Sequence, residues 1–324
     1  ARQGVVAMLG ATHSAAMLDV ATIVNDTLKV TVICPATDAT AITENDAQKQ
    51  GRDNYLFRVG MYGTGQANFM VDTLVERLGH QKVGLLTWTG GWGVTGREEL
   101  RRRLKERGLT PVADETYDDS DTDMTAQLLK LKAAGAQAIL NYGLVRENVF
   151  VAKTRQQLKD ATPYVSAWGL SGPAFLKAAG ESAEGVLVTT TATTDGPQSP
   201  ARAEFIRKYQ ARYKENLIAP VFALGAYDAV YLFKTALEKG GKEPAKLLKA
   251  LHEIPNFNGL IVRCDRPVFT KERHHALTEN EMILTRWTQG KQLEVKFDER
   301  GPFVEPEANR RLHLDKQTLK PIAY

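Results

Sequence analysis

The stretch KVGLLTWTGGWGVTGREELRRRL, residues 82–104, decides the fold, because a buried strand, a tight turn and a charged helix follow one another in it. The apolar run KVGLLTW predicts the strand, and the charged run after the glycines has helical spacing. Gly91, Gly93 and Gly96 match the spacing of a dinucleotide-binding fingerprint, and Asp114 lies about 20 residues further on, where that fingerprint requires an acid. The stretch is therefore either a phosphate cradle or another site built from the same parts.

Three interpretations of this turn stay open at the level of sequence. In a nucleotide-binding fold the glycines let the backbone approach a pyrophosphate, which would make the chain an NAD-dependent enzyme using Gly91–Gly96. A second interpretation is a glycine-rich connection that holds no ligand. In the third, Trp92 obstructs the approach of a pyrophosphate and is itself the functional residue, since open α/β sheets bind ligands at the carboxyl ends of their strands.

Strand and helix patterns alternate along most of the chain. Strands are predicted at 5–9, 28–33, 57–59, 82–88, 109–117, 138–142, 163–168 and 185–192. Helices are predicted at 14–25, 66–78, 94–107, 122–134, 146–159, 173–179, 200–214, 220–239 and 244–252. This alternation predicts an α/β fold with doubly wound parallel sheets. After residue 260 the pattern changes to strands joined by turns, followed by a polar tail.

Length and composition favour about two globular domains. The chain has 324 residues, of which 43% are hydrophobic and 25% charged, with a net charge of +4. Acids interrupt the basic run at 97–107, so we expect a solvated helix face there and no nucleic-acid partner. No proline- or serine-rich linker separates the domains, which indicates a chain that passes between them more than once.

No metal or disulfide framework is evident. The two cysteines, Cys34 and Cys264, are expected to be free and buried, and neither CxxC nor HExxH spacing occurs. The pair at 274–275 consists of adjacent histidines, which do not easily place both rings on one ligand. We therefore predict neither a metal nor a cofactor.

No catalytic constellation is evident either. His13 and Ser14 are adjacent, so their side chains diverge, and no nucleophile elbow surrounds Ser14. The acidic run at 118–123 lacks the spacing of a calcium loop, and we expect Asp121 or Thr122 in it to cap a helix. The sequence predicts a protein that is not an enzyme.

Candidate binding residues follow several predicted strands. Ser14 comes after the first strand, where it can cap the next helix beside backbone N–H groups that favour an anion. Small and hydroxyl-bearing residues at 35–40 follow the second strand, whereas Trp92, Tyr142 and Trp168 follow later ones. Two such half-sites facing each other would hold a small apolar molecule with a carboxylate end.

Five motifs then identify a family resemblance. VVAMLGATHS, VICPATDATAIT, YLFRVGMYGTGQ, KVGLLTWTGGWG and GAYDAVYLFKTAL occur in that order. In this order they resemble the leucine/isoleucine/valine-binding protein family, which comprises periplasmic type I solute-binding proteins of ABC transporters. The resemblance runs from residue 1 to residue 297. It implies two lobes joined by three crossings, and a ligand captured by lobe closure for delivery to a membrane permease.

The resemblance also implies a domain organisation. The first lobe is expected at 1–60 plus 192–280, and the second at 61–191 plus 281–324. Crossings are expected near Gly60–Gly63, Thr190–Thr193 and Glu279–Glu281. Family members carry a further strand–helix–strand unit before the segment that resembles VVAML, so the first lobe is expected to lack a central strand.

Ligand positions carry over one residue at a time. Ser14, next to His13, matches the serine that holds the ligand carboxylate with the helix N-terminus. The loop residues Ala36, Thr37 and Asp38 match backbone and hydroxyl donors, with Asp38 where a threonine is usual. Trp92 matches an aromatic position of the second lobe. Leu144, beside Tyr142, falls near another aromatic position.

Trp168 stands where amino-acid binders place the acid that pairs with the ligand ammonium. A buried ammonium without a countercharge costs several kcal/mol, and an indole supplies a cation–π contact of about 2 kcal/mol at best. Unless Asp38 takes over the pairing, we expect a carboxylate without an α-amine, aromatic and stacked on Trp92 and Trp168. Asp38 would then accept a hydrogen bond from a ring hydroxyl.

Alternative functions are binding of branched-chain or other amino acids, a ligand sensor on the same fold, and the NAD-dependent enzyme described above. The resemblance implies a periplasmic or membrane-anchored extracellular location and a monomer. The sequence begins at Ala1 and shows neither a signal peptide nor an apolar run near the ~20 residues that cross a bilayer.

Overall fold

The computed structural model describes residues 4–307 and 310–322. Its strands are β1 (Ala7–Leu9), β2 (Thr31–Cys34), β3 (Leu56–Arg58), β4 (Val83–Trp88), β5 (Asp114–Tyr117), β6 (Ala138–Asn141), β7 (Tyr164–Ser166), β8 (Leu187–Thr190), β9 (Phe257–Asn258), β10 (Arg263–Cys264), β11 (Ile283–Thr288), β12 (Lys291–Glu294), β13 (Lys296–Asp298), β14 (Gly301–Glu307) and β15 (Arg310–His313). Its α-helices are α1 (Ser14–Thr22), α2 (Asp46–Lys49), α3 (Gly63–Asp72), α4 (Gly91–Glu106), α5 (Thr125–Ala133), α6 (Val145–Gln157), α7 (Pro173–Ala179), α8 (Pro200–Tyr213), α9 (Pro220–Gly240) and α10 (Pro244–His252). The predicted α/β class with mainly parallel sheets is confirmed.

The chain divides into two compact units. Unit 1 comprises Ala1–Gly63 and Val221–Glu281, and unit 2 comprises Thr64–Pro220 and Met282–Tyr324. The expectation that residues 192–220 belong with the first lobe is therefore wrong. The loop after β8 is fastened to β12 instead, because the Thr193 hydroxyl donates a hydrogen bond of 2.6 Å to the carbonyl of Gln292, and Asp195 accepts one of 2.7 Å from its N–H.

Unit 2 is built on a seven-stranded sheet in the order β12-β11-β8-β7-β6-β4-β5. The five strands from β8 to β5 are parallel, whereas β11 runs antiparallel to both β8 and β12. Parallel strands have their carboxyl ends at the same edge of a sheet. The residues that follow β4, β6, β7 and β8 therefore share one edge.

Helix α4 packs unusually closely against this sheet. A side chain at Gly93 would lie 2.1 Å from the backbone oxygen of Trp88, and one at Gly96 would lie 2.2 Å from the ring of Tyr142. Gly91 is open, with no atom within 4 Å of an added Cβ. The fingerprint spacing at Gly93 and Gly96 is thus explained by helix–sheet packing. Gly108 then ends the helix with a φ of +72°.

The segment after β12 forms a second small sheet of unit 2. Strands β13, β14 and β15 pair in that order and are antiparallel. The expected polar tail is therefore wrong for these residues. The apolar side chains of Phe303, Val304 and Leu314 are buried, so this segment contributes to the core of unit 2. Such strands are difficult to predict from sequence, because their apolar–polar alternation is short and many of their residues are charged.

Unit 1 contains a three-stranded parallel sheet in the order β1-β2-β3. All four residues of β2 and all three of β3 are buried, as fully covered parallel strands require. At the edge strand β1, Met8 is 39% and Leu9 43% exposed. The side chain of Asp228 on α9 accepts three backbone N–H bonds from 260–262, at 2.7, 2.8 and 2.8 Å.

Both cysteines are free, as expected, although only Cys34 is buried and Cys264 is partly exposed. Burial raises the pKa of the Cys34 thiol to about 11, so it stays protonated and unreactive at neutral pH. Among the described residues no group of three or more histidines, cysteines and acids has the geometry of a metal site. No helix in the described chain combines the length and the hydropathy that crossing a bilayer requires.

Three histidines of unit 1 lie close together behind β3. The Nε2 atoms of His252 and His274 are 2.9 Å apart, and His274 Nδ1 lies 3.0 Å from the carbonyl of Leu56. Because a carbonyl only accepts, Nδ1 of His274 carries its proton and Nε2 accepts from His252. His275 stacks on Tyr62, with ring centroids 4.2 Å apart. Burial lowers the pKa of His274 to about 3, and that of His275 to about 3.

We expect unit 1 to lose stability as the pH falls below 6.5, the ordinary histidine pKa. Below that pH the unfolded chain binds protons that native His274 and His275 do not, so each histidine lowers the free energy of unfolding by about 1.4 kcal/mol per pH unit. Urea unfolding at several pH values measures this slope. His275→Gln should make the slope shallower between pH 6.5 and pH 4, and an unchanged slope in this variant would refute the assignment.

We expect Gly96→Ala to destabilise unit 2 by about 2–3 kcal/mol, because the new methyl group overlaps the Tyr142 ring. Gly91→Ala is the matched control on the same helix, where open space surrounds the added Cβ and the greater helix propensity of alanine makes the change neutral or stabilising by up to about 1 kcal/mol. Urea unfolding compares the two. Equal effects of both substitutions would contradict the close packing at Gly96.

Candidate functional site

Three aromatic side chains meet at the carboxyl edge of the unit 2 sheet. Trp92 lies in the first turn of α4, Tyr142 directly follows β6, and Trp168 begins a short 3₁₀ turn after β7. The ring centroid of Trp92 is 5.1 Å from that of Tyr142 and 6.0 Å from that of Trp168, both edge-to-face. Tyr142 is fully buried, whereas the two indoles are partly exposed. We refer to these three residues as the aromatic cluster.

The side-chain amide of Gln66 binds two members of the aromatic cluster, Tyr142 and Trp168. Gln66 is fully buried on α3. Its Nε2 donates to the hydroxyl of Tyr142 at 3.0 Å, and its Oε1 accepts from the backbone N–H of Trp168 at 2.9 Å. The same oxygen lies 3.4 Å from the hydroxyl of Thr189 on β8. One amide thus ties together three segments that are distant in sequence. Sequence inspection did not identify Gln66, although it is the last residue of the motif YLFRVGMYGTGQ, because no local pattern shows which groups a buried amide contacts.

A buried polar network supports the cluster further inside the sheet. The hydroxyl of Tyr117 accepts from Asn141 Nδ2 at 2.7 Å and from Asn148 Nδ2 at 3.0 Å. The hydroxyl of Ser166 donates to the side-chain oxygen Oδ1 of Asn141 at 2.9 Å, and the hydroxyl of Tyr164 donates to Oδ1 of Asn148. Burial raises the pKa of Tyr117 well above its ordinary value, so this phenol stays neutral. The network joins the ends of β5, β6 and β7, and an added Cβ at Gly143 would lie 1.8 Å from the hydroxyl oxygen of Tyr117.

Asp114 does not have the surroundings of the acid in a dinucleotide-binding fingerprint. Its carboxylate pairs with Arg97 at 2.7 Å and with Arg101 at 2.5 Å, both on α4. The fingerprint would instead present this acid to a ribose. Ion pairs also neutralise much of the basic run at 97–107, as with Asp72, which binds Arg103 and Arg107. The run was expected to be a solvated helix face, and the structure shows a helix face whose arginines are largely ion-paired.

Helix α5 begins later than expected. Its N-terminal boundary residue is Met124, without a side-chain cap, so the expected capping by Asp121 or Thr122 is wrong. The carboxylate of Asp123 accepts the N–H of Thr125 at 2.9 Å, and that of Asp121 accepts the N–H of Asp118. The acidic run folds on itself as local turns, which compete with helix at such residues.

Ser14 of unit 1 has a different role from the expected helix cap. The boundary residue of α1 is the exposed His13, which makes no side-chain cap, and Ser14 is the first helical residue. Its hydroxyl oxygen accepts the backbone N–H groups of Asp38 at 3.2 Å and Ala39 at 3.1 Å. A hydroxyl that accepts two bonds still has its proton to donate. Ser14 therefore joins the start of α1 to the loop after β2.

The guanidinium of Arg58 holds that loop from beneath. Arg58 is fully buried at the end of β3. It donates to the carbonyl oxygens of Asp38 at 2.8 Å and Ala39 at 2.9 Å, and to the hydroxyl of Thr43 at 2.6 Å. Burial lowers its pKa to about 10, and the charge of Asp38 opposes this shift, so Arg58 stays charged at neutral pH. Arg58 was also missed, because a lone arginine in an apolar run carries no pattern.

The remaining predicted residues occupy different surroundings. Ala36, Thr37 and Asp38 are buried in the loop after β2. An added Cβ at Gly63 would lie 2.8 Å from Asp38 Oδ1, so this carboxylate packs against Gly63. Leu144 is the boundary residue before α6, with a side chain 43% exposed. The predicted residues therefore form two separate sets: a polar set around Ser14 and Asp38 in unit 1, and the aromatic cluster in unit 2.

Comparisons with known proteins agree with this architecture. A Leu/Ile/Val-binding protein homologue of Brucella melitensis is 28% identical over 216 residues, which is 65% of this chain and 56% of the relative. The Leu/Ile/Val-binding protein BraC3 of Rhizobium johnstonii is 25% identical over 255 residues, 77% of this chain and 65% of the relative. The chain therefore spans less than two thirds of the length of these relatives.

Solved structures show the same fold. A type 1 periplasmic binding protein from Bordetella pertussis superposes with a TM-score of 0.74 at 22% identity, over 93% of this chain and 81% of that one. The branched-chain amino acid binding protein LivJ of Streptococcus pneumoniae, in complex with isoleucine, has a TM-score of 0.72 at 24% identity, over 90% and 78%. The family model of periplasmic binding proteins matches residues 1–292. This chain belongs to the periplasmic binding protein family.

Proposed function

We propose that this protein is the extracytoplasmic solute-binding component of an ABC importer and not an enzyme. It captures a small carboxylate by closure of its two units and delivers it to a membrane permease. The preferred ligand is aromatic and lacks an α-amine. Family membership and the names of the relatives support the coarser part of this proposal. The aromatic cluster is the observation that carries the finer part.

The aromatic cluster favours a flat ligand. Two partly exposed indoles that stand edge-to-face, at 76° to each other, form a rigid apolar corner. Aromatic pairs contribute about 0.5–1.5 kcal/mol beyond the burial of their area, so a planar ring gains more from this corner than an aliphatic chain does. Gln66 holds the backbone of Trp168, which reduces the entropy that ligand binding must overcome.

Unit 1 offers features that suit a carboxylate. The hydroxyl of Ser14 has its proton to donate, and it lies at the first turn of α1, where backbone N–H groups have no partner within the helix. A helix N-terminus also carries a partial positive charge that favours anions. Ser14 is therefore the residue that we assign to the ligand carboxylate, with the exposed His13 beside it.

The charges beside Ser14 argue against a ligand ammonium. By the resemblance, Trp168 stands where amino-acid binders place the acid that pairs with the ligand ammonium. Among the ligand positions predicted for this chain, the acid that could replace it is Asp38. The positive charge of buried Arg58 acts on Asp38, and the same charge would repel a ligand ammonium placed beside this carboxylate. A buried ammonium that is incompletely paired costs several kcal/mol. We assign Asp38 instead to a hydroxyl group on the ligand ring.

Branched-chain amino acids are the second candidate. The names of the Brucella and Rhizobium relatives state Leu/Ile/Val binding, and the Streptococcus structure contains isoleucine. In this case Asp38 would pair with the ammonium and the aromatic cluster would enclose the aliphatic side chain. We propose a periplasmic or membrane-anchored location and a monomeric state in both cases.

Calorimetric titration distinguishes the two candidates. We expect 4-hydroxybenzoate and 4-hydroxycinnamate to bind at least ten times more tightly than L-leucine or L-isoleucine, because they present a ring and a carboxylate without an ammonium to pair. The full chain at neutral pH is used, after unfolding and refolding to remove any ligand that co-purifies. Tight leucine binding with no response to the aromatic acids would reverse the ligand class and leave the transport role standing. Saturable binding of NADH alone would reject both.

Trp168→Ala should weaken binding of the preferred acid about 10- to 100-fold, which corresponds to about 1.4–2.7 kcal/mol for the loss of one aromatic wall. Trp88→Ala is the matched control, since Trp88 is also partly exposed at this sheet edge but donates its indole N–H to Asp119 instead of joining the cluster. Calorimetry gives the affinities, and circular dichroism verifies folding. Equal losses in the two variants would contradict a specific role for Trp168.

A further inference from the structure

The sequence contains one Asn–Gly pair, Asn258–Gly259, at the end of strand β9 in unit 1. In such a pair the glycine nitrogen can attack the side-chain carbonyl of the asparagine and close a cyclic imide. The bond to the amide nitrogen breaks, and this nitrogen takes up the glycine proton and leaves as ammonia. Glycine permits the attack most readily, because it has no side chain to obstruct it. Asn258 is exposed, so water reaches its amide and the imide that it would form.

The packing of unit 1 requires the glycine of this pair. A Cβ added at Gly259 would lie 2.3 Å from Oδ1 of Asp228 and 2.5 Å from the ring of Phe257. Asp228 is fully buried, and its carboxylate accepts the backbone N–H groups of 260–262 at 2.7, 2.8 and 2.8 Å. It cannot withdraw from a larger residue without losing these bonds. The fold therefore keeps a reactive pair at an exposed asparagine.

The same contacts restrain the reaction in the folded chain. The N–H of Gly259 donates to the carbonyl of Val262 at 2.8 Å, across the turn between β9 and β10. Attack on Asn258 requires this nitrogen to lose its proton, so the hydrogen bond must break first. The carboxylate of Asp228, packed against Gly259, also opposes the negative charge that develops on the nitrogen. The closed turn thus disfavours imide formation.

We propose that Asn258 is a site of spontaneous deamidation, and that the turn held by Asp228 limits its rate in the native protein. The attack takes place in molecules in which the bond from Gly259 to Val262 has opened. Loops open locally without unfolding of the whole unit. The native rate of deamidation therefore equals the rate in the unfolded chain multiplied by the open fraction of this turn. This inference does not depend on the transport function proposed above.

The two products of the reaction have different consequences for unit 1. Water opens the imide at either carbonyl and leaves aspartate or isoaspartate at position 258. Aspartate keeps the backbone and places a carboxylate beside Arg263, whose Nε lies 3.3 Å from Oδ1 of Asn258 on the paired strand β10. Isoaspartate carries the main chain through the former side chain, which lengthens it by one methylene group. The pairing with Arg263 and the alignment of 260–262 with Asp228 are then both lost.

Peptide mapping by mass spectrometry tests the proposal on the full chain. Trypsin releases residues 250–263, which contain both Asn258 and Asn256. Asn256 is the internal control, because the bulky Phe257 follows it. The protein is incubated in mildly alkaline buffer, either native or in guanidinium chloride above its unfolding transition. Conversion of amide to acid at Asn258 should be at least tenfold faster in the unfolded chain, and Asn256 should stay amidated in both. Equal rates at Asn258 in the two states, or no conversion in the unfolded chain, would overturn the proposal.

Asp228→Asn tests the role of the carboxylate. Its amide presents one acceptor oxygen to three backbone N–H groups, so the turn should open more often and native deamidation at Asn258 should rise at least threefold. Glu238→Gln, at an exposed acid on the same helix α9, is the matched control and should leave the rate unchanged. Circular dichroism verifies folding. An unchanged rate in the folded Asp228→Asn variant would contradict control by this turn.

Hydrogen exchange in the wild-type protein gives a test that needs no variant. In low concentrations of guanidinium chloride, exchange of the Gly259 amide and deamidation of Asn258 should rise by the same factor, because both require the turn to open. Deamidation that does not follow this exchange would refute the mechanism. The isoaspartate fraction, separated by chromatography, should unfold at a lower denaturant concentration than Asn258→Asp. Equal midpoints would contradict the loss of strand pairing.

Discussion

The close approach of α4 to the sheet of unit 2 is the constraint on which the candidate site depends. Two glycines permit it, because any side chain at Gly93 or Gly96 would overlap Trp88 or Tyr142. Only at this distance does the first turn of α4 bring Trp92 to 5.1 Å from Tyr142. The fingerprint spacing that suggests phosphate binding thus serves helix–sheet packing, which is also one of its uses in nucleotide-binding folds.

Buried polar side chains then hold loop segments whose positions the packing of helix on sheet does not determine. Gln66 in unit 2 and Arg58 in unit 1 have the same task, since each binds backbone or hydroxyl groups from segments distant in sequence. Gln66 bonds through both atoms of its amide, and Arg58 through both of its terminal nitrogens, although Arg58 Nε has no hydrogen-bond partner among the described residues. A buried polar atom that lacks its bond is costly. Such residues confer one arrangement on a loop that would otherwise have several. The proposed ligand site therefore rests on residues that we do not expect to touch the ligand.

Much of the fold followed from local patterns. The parallel alternation predicted the α/β class, and the positions after β4, β6 and β7 predicted which aromatic residues share an edge. The misses have physical reasons. Helix α5 begins at Thr125 because acidic side chains bind nearby N–H groups in turns, and the loop after β8 belongs to unit 2 because Thr193 and Asp195 bind Gln292. Helix and strand propensities of single residues do not predict either kind of side chain–backbone hydrogen bond.

The sequence by itself determined the α/β fold class, the strand–turn–helix units and the family. These depend on the periodicity of apolar residues and on the order of motifs along the chain. Only the tertiary structure decided that Gln66 joins Tyr142 to Trp168, and that Ser14 binds the loop at Asp38 in place of capping its helix. Contacts between residues 24 to 102 positions apart have no local signal, because their free energy arises only when the chain has folded.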